Sequence, residues 1–193
     1  MTLTPSAPVP SPGIVQVSPF AGLVLRFDEL ISSSSTMVLY FIHSRRWREN
    51  HDAAIKGFMS REGTTLEVFL PDLENHELMF SLEKHFDDGP LIPALVKDAY
   101  RYFARLARDY QKPVQIRLFG RYPTYSFYRF DDRAIMAMYS NSVAKKELPA
   151  FEVTADGFLG GFLAADIEDL RRECRTRNPE ELELVIENAA GHG

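Results

Sequence analysis

The groups best able to bind or transform a ligand crowd into one stretch, Arg121 to Ser142, which carries Tyr122, Tyr125, Tyr128 and Tyr139 together with Arg121, Arg129 and the pair Asp131-Asp132. Guanidinium forks match the geometry of phosphate and carboxylate. Arg45, Arg46, Arg117, Arg121 and Arg129, with His43, therefore make a candidate anion site if they converge. Ser126 and Asp132 join them as candidate ligand-binding groups, and His43, Tyr125 and Asp131 are the candidate catalytic groups. The aromatic faces could stack on a base or a sugar.

Each of these groups also has an ordinary use. Arg129 can pair with Asp131 or Asp132 across a tight turn, and tyrosines at this density commonly fill a core or an interface. Adjacent carboxylates point to different sides, so Asp87-Asp88 and Asp131-Asp132 suit turns better than a metal or an acid/base pair. Alternation along the strand sends Tyr125, Phe127, Arg129 and Asp131 to one face and Ser126, Tyr128, Phe130 and Asp132 to the other, and the two faces are chemically alike.

These residues need elements to position them. Phe20 to Ile31 has helical spacing and ends in the tract Ser32 to Ser35, which has no nearby His or Lys to activate a nucleophile. Thr36 to Ile42 is a continuous apolar run, the pattern of a strand covered on both faces. Residues 47–60 return to helical period, and Thr64 to Leu70 is a second strand stopped by Pro71-Asp72. That βαβ unit demands a parallel pair with a right-handed crossover. Both strand ends, at His43 to Arg46 and at Leu70 to Asp72, then share the sheet edge where ligands bind in open α/β sheets.

Helices are expected over Asn75 to Phe86 and Ile92 to Tyr110, the latter with the stripe Leu95, Ala99, Tyr102, Phe103, Leu106 and Tyr110. Val114 to Phe119 is a third strand, followed by strands at 125–130 and 133–140 and a polar loop around Lys145-Lys146-Glu147. Phe151 to Phe162 reads as one more strand or a hairpin turning at Asp156-Gly157, with the glycines of Gly157 to Gly161 serving close backbone packing. Ala164 to Cys174 reads as helix, and Asn178-Pro179-Glu180 as the cap and first turn of a last one.

With 193 residues, 45% of them hydrophobic, the chain suffices for one ordinary core. The organisation expected is a flexible Pro-rich arm over residues 1–17, a single α/β domain over 18–188 and a frayed end at 189–193. The fold class expected is α/β, with a mixed, largely parallel central sheet flanked by helices on both faces. A formal charge of −5 disfavours a nucleic-acid partner but leaves room for a local basic pocket. Cys174 is the single cysteine, so no intrachain disulfide and no Cys/His zinc set is available, which fits a cytoplasmic setting. No apolar run is long enough to span a bilayer, and no metal or cofactor is expected. Phosphate-loop, dinucleotide-loop, nucleophile-elbow and zinc-protease motifs are absent from the sequence.

The order of elements, with Val68-Phe-Leu-Pro-Asp72, Val114-Gln-Ile-Arg117 and Tyr125 to Asp132, resembles one half of the phospholipase D-like superfamily over about Met37 to Asp169. The resemblance implies a His-x-Lys pair followed four residues later by Asp, with His attacking phosphorus and Lys holding phosphate oxygens. This chain departs from that signature. Aligned on Asp131, Thr124 and Ser126 stand at the His and Lys positions; aligned on Asp132, Tyr125 and Phe127 do. His43-Ser-Arg45, with Asn50 in the place of the Asp, follows the wrong strand.

The resemblance thus implies a non-catalytic phospholipase D-like domain that binds a phosphate- or nucleotide-type anion or serves assembly. Single halves in this family commonly pair about a two-fold axis, so a homodimer is expected, with the Met136, Met138, Tyr139 strand suited to a central or interface position. The alternatives are an enzyme acting on phosphodiesters, nucleotides or nucleosides with a non-standard residue set, or a bacterial regulatory or defence component acting through a protein partner.

Overall fold

The computed structural model describes residues 11–86, 89–140, 142 and 147–188. Its centre is the apolar run read as a buried strand: β2, Thr36–Tyr40, is buried from Met37 onward. Two helices, α2 (Arg45–Asn50) and α3 (Asp52–Ser60), carry the chain to β3, Thr65–Pro71, which lies parallel to β2. Next come α4 (His76–His85), α5 (Ile92–Asp109) and β4 (Val114–Phe119), the last parallel to β3. The right-handed crossover logic therefore puts the C-terminal ends of β2, β3 and β4 on one edge.

The remainder of the sheet is antiparallel. β5 (Tyr125–Phe130) and β6 (Arg133–Met138) form a hairpin, β5 pairs antiparallel with β2, and β6 continues to β7 (Pro149–Thr154). The outer strands are β1 (Ile14–Pro19) beside β7 and β8 (Arg175–Arg177) beside β4, giving the order β1-β7-β6-β5-β2-β3-β4-β8. The α/β class and the mixed sheet are as expected, but among the described residues only the β2–β3 and β3–β4 pairs are parallel. Connection length is the reason: a parallel neighbour needs a crossover helix, whereas the two-residue turn at Asp131-Asp132 permits only an antiparallel one.

Helices cover both faces. α1 (Val24–Ser33), entered through a 3-10 turn at Phe20–Leu23, inserts Phe27 against Tyr128 (ring centroids 5.2 Å) and Trp47 (5.5 Å) on one face. α5 packs on that same face, with Ala99, Tyr102, Phe103 and Leu106 of the expected stripe buried. α6 (Phe158–Glu173) crosses the opposite face, where Tyr125 donates to Asp166 and Arg171 pairs with Glu67. Burying a large apolar side chain contributes about 1.5–3 kcal/mol, and the largest fully buried ones, among them Tyr100, Tyr128, Phe27, Phe41 and Phe103, lie mainly between the sheet and α1, α2 and α5.

Several elements depart from the sequence pattern for local reasons. The helix expected over 47–60 is two helices that meet at His51, whose ψ of 13° is off the helical value. Residues 14–17, assigned by composition to the arm, are part of edge strand β1; residues 1–10 and 189–193 lie outside the described residues, as do Asp87-Asp88 and Lys145-Lys146. No hairpin follows Phe151. β7 stops at Thr154 and α6 starts at Phe158, because Gly160 lets the helix backbone seat directly on the Thr154 carbonyl. The last helix, α7 (Pro179–Asn188), begins as read: Asn178 Oδ1 accepts from the Glu181 amide at 2.8 Å and Glu181 Oε2 accepts from the Asn178 amide at 2.9 Å, a reciprocal capping box. Among the described residues no helix is long and apolar enough to cross a membrane.

Candidate functional site

At the edge formed by the C-terminal ends of β2, β3 and β4, the start of β5 and the end of β6 bring Ser126, Tyr128 and Tyr139 beside the β2–α2 junction. Ser126 and Ala137 face each other in register, which puts Ser126, Tyr128 and Tyr139 on the face covered by α1 and α2. Tyr128 Oη lies 2.8 Å from Ser44 Oγ, and Tyr139 Oη accepts the Ile42 amide at 3.3 Å. The Ser126 hydroxyl, on the same face, donates to the Ala137 carbonyl at 3.5 Å. Ser44 holds a left-handed backbone (φ 44°, ψ 39°), a conformation a serine adopts at a cost, directly before α2.

Burial pushes the Tyr128 phenol up to about 12, against the opposing hydrogen bonds of Ser44 and Ser126, and raises Tyr139 well above its ordinary value. On the α6 face, burial and then the hydrogen bond to Asp166 raise Tyr125; burial, with the nearby Asp166 carboxylate, raises Tyr40, whose ring meets Tyr125 at 5.6 Å. All four phenols therefore stay protonated at neutral pH. They are hydrogen-bond donors and acceptors, not phenolate nucleophiles.

The structure gathers part of the sequence-derived set and disperses the rest. His43 is half-buried at this edge, its Nδ1 accepting the Arg45 amide at 3.2 Å and its carbonyl accepting from Arg48 Nε at 3.0 Å. Arg45 pairs with Glu49 at 2.8 Å, Arg46 is exposed, and Arg121 pairs with Glu173. Arg117 is drawn into the sheet face by Glu67 at 2.5 Å and Thr176 at 3.1 Å. Arg129, Asp131 and Asp132 lie toward the opposite edge, Arg129 about 13 Å and Asp131 about 20 Å from Tyr125 at ~3.3 Å per residue.

There Asp131 has a structural use. Its carboxylate accepts the Ser35 amide at 3.0 Å and the Thr36 amide at 2.7 Å, while Arg129 Nε donates to its carbonyl at 2.8 Å. The exposed Asp132 accepts the Ala155 amide on its carbonyl at 2.8 Å. The arginines thus do not converge on one anion pocket; Arg45, Arg117 and Arg121 each have a carboxylate at hand.

Sequence reading missed Ser44, Asp166 and the Glu67 cluster. Arg171 donates to Glu67 at 2.6 Å beside Arg117; burial alone would raise the Glu67 carboxyl, but hydrogen bonds from Arg171 and then Arg117 outweigh it and hold it below the ordinary range. The one usable signal was Glu67 in an otherwise buried strand, which calls for a cationic partner. Near the same edge, burial pushes the Cys174 thiol up to about 12 despite the neighbouring Arg117. Alkylation of Cys174 by iodoacetamide at pH 8 is accordingly expected to run on the order of a hundredfold slower in the native chain than in urea. Equal rates in the two states would contradict the burial described.

No protein-family model matches the sequence, and no curated protein matches it. Solved structures do. Nuc of Salmonella typhimurium, a phospholipase D family member, superposes with a TM-score of 0.51 at 14% identity over 84% of this chain and 97% of its own. The phosphatidylserine synthase of Haemophilus influenzae Rd KW20 gives 0.55 at 13% identity, covering 90% of this chain and 45% of the synthase. TrmBL2, an archaeal chromatin protein, gives 0.55 at 11% identity, covering 85% of this chain and 54% of TrmBL2. The chain is an α/β protein with a phospholipase D-like fold. It spans about half the length of the synthase and of the chromatin protein, and at these identities the likeness concerns the fold.

Proposed function

We propose that this chain is a phospholipase D-like module that binds an anionic ligand or assembles with other chains, without phosphohistidine chemistry. One observation carries the reading. In the register aligned on Asp131, the position of the signature lysine is Ser126, and Ser126 is buried, its hydroxyl donating to the Ala137 carbonyl at 3.5 Å, instead of presenting an amine. The position of the signature histidine is Thr124. Neither side chain can form a phosphoramidate intermediate or neutralise a phosphate.

The ligand class is a phosphate or nucleotide held at the edge by His43 and by Arg121, which would exchange its exposed Glu173 partner for the anion, and the assembly is a homodimer in a cytoplasmic setting, with a further protein partner as the remaining option. Val17, Met138, Phe158 and Phe162 are exposed large apolar side chains of the kind a second copy would cover. Fold alone does not choose between binding and catalysis, since a chromatin protein and a synthase share it. The enzyme alternative, hydrolysis or transfer at phosphodiesters or nucleotides, has one feature in its favour: Tyr125 joined to Asp166 at this same edge.

A turnover assay separates the two. Bis(p-nitrophenyl) phosphate is expected to show no hydrolysis above buffer, while nucleoside monophosphates raise Tm in the native chain and not in His43→Ala or Arg121→Ala. Hydrolysis that disappears in Tyr125→Phe or His43→Ala would establish the enzyme instead. Sedimentation equilibrium at micromolar concentration is expected to return twice 22.0 kDa. A 22.0 kDa species would remove the homodimer.

A further inference from the structure

At the far end of β4 from His43, the last turn of α5 and the start of β4 face β8 and α7 across a cleft of 690 Å³. That volume lies within the ~300–1,000 Å³ of ordinary small-molecule sites. One wall is apolar, built from Ala107, Pro113 and Val114, and it is flanked by Arg108 and Arg177 with Glu183 as the carboxylate in the lining. Asn178, the cap of α7, also lines the cleft, so the positive end of that helix adds to the field there.

Arg177 is the informative group. Its Nε is buried with no hydrogen-bond partner, an unfavourable state for a polar group and more so for a charged one. Its terminal nitrogen makes a long ion pair with the Glu74 carboxylate at 3.9 Å, beyond hydrogen-bond distance. By turning into the cleft the guanidinium gives up that long ion pair and no hydrogen bond, whereas an anion there would satisfy the buried Nε that has no partner. Arg108 is exposed on the opposite rim, at the end of α5.

We propose that this cleft is a binding site for an anionic small molecule whose phosphate or carboxylate group pairs with Arg177 and Arg108 and whose planar or aliphatic body lies on Ala107, Pro113 and Val114. The site is separate from the edge that carries His43 and Arg121, so it stands whether or not that edge binds or hydrolyses anything.

1-Naphthyl phosphate, inorganic phosphate and 1-naphthol, each titrated calorimetrically into the full chain, test the proposal. 1-Naphthyl phosphate is expected to bind at least tenfold tighter than either fragment. Arg177→Gln and Arg108→Glu should each weaken it at least tenfold with unchanged far-UV circular dichroism. Unaltered affinity in both arginine variants, or no binding at millimolar ligand, would overturn it. Arg108 is exposed, so its variant remains informative even if replacement of Arg177 disturbs folding.

Discussion

Asp131→Ala is expected to lower the free energy of unfolding by about 2 kcal/mol, and Asp131→Asn by about half of that. The carboxylate accepts the Ser35 and Thr36 amides at 3.0 and 2.7 Å, tying the β5–β6 turn to the start of β2. Hydrogen bonds to a charged group contribute about 1.5–3 kcal/mol each when sheltered, and these are partly exposed, so the lower end applies to the pair. Alanine adds strain, because residue 131 sits at φ 50°, where Asp and Asn are tolerated and a bare methyl is not. Asparagine keeps one oxygen acceptor and the backbone preference.

The order of the two variants distinguishes structure from chemistry. A catalytic carboxylate would suffer equally from either replacement, whereas a capping one loses far less to asparagine. Urea unfolding with a constant slope measures both. Asp131→Ala within 0.5 kcal/mol of the parent would show that the link is dispensable.

The second large effect lies in a pair of neighbouring glycines with opposite signs. A Cβ at Gly160 would stand 2.0 Å from the Thr154 carbonyl oxygen and 2.9 Å from its carbon, both backbone atoms that cannot step aside. Gly160→Ala is therefore expected to cost about 3 kcal/mol or more, by lifting the first turns of α6 from β7. At Gly161 a Cβ meets nothing within 4 Å, so Gly161→Ala should stabilise by up to ~1 kcal/mol through helix propensity and a less mobile unfolded chain. α6 carries Asp166 and Arg171, so Gly160→Ala should also release Tyr125 and Glu67, visible as a change in tyrosine fluorescence before global unfolding. Equal stability of the two variants would rule out the close helix–strand seat.

The elements that were legible share a local cause. β4 and the hairpin strand β5 were read to the residue, and α5 to within one residue, because alternation, helical period and the Asp131-Asp132 turn are written in neighbouring residues. β8 was not legible: Arg175-Thr-Arg177 has no apolar period and is a strand only because β4 offers it an edge. β1 was hidden in the same way, since Ile14 to Pro19 borders a Pro-rich segment and takes its hydrogen bonds from β7. The glycines after β7 looked like part of a strand because glycine is poor in any helix; what selects the helix is the contact with Thr154.

For the candidate site the division is sharper. Residue identities alone determined that no His-x-Lys pair occurs in the sequence, that Cys174 has no thiol partner, and that β2 and β3 form a crossover pair, because these depend on covalent order and local periodicity. Only the tertiary structure decided that Asp131 caps β2 while Ser44, 84 residues from Tyr128, pairs with its hydroxyl. It likewise decided that the arginines face separate carboxylates instead of one anion. The physical reason is sheet register: a shift of one residue reverses every side chain, and that register is set by strands far apart in the chain.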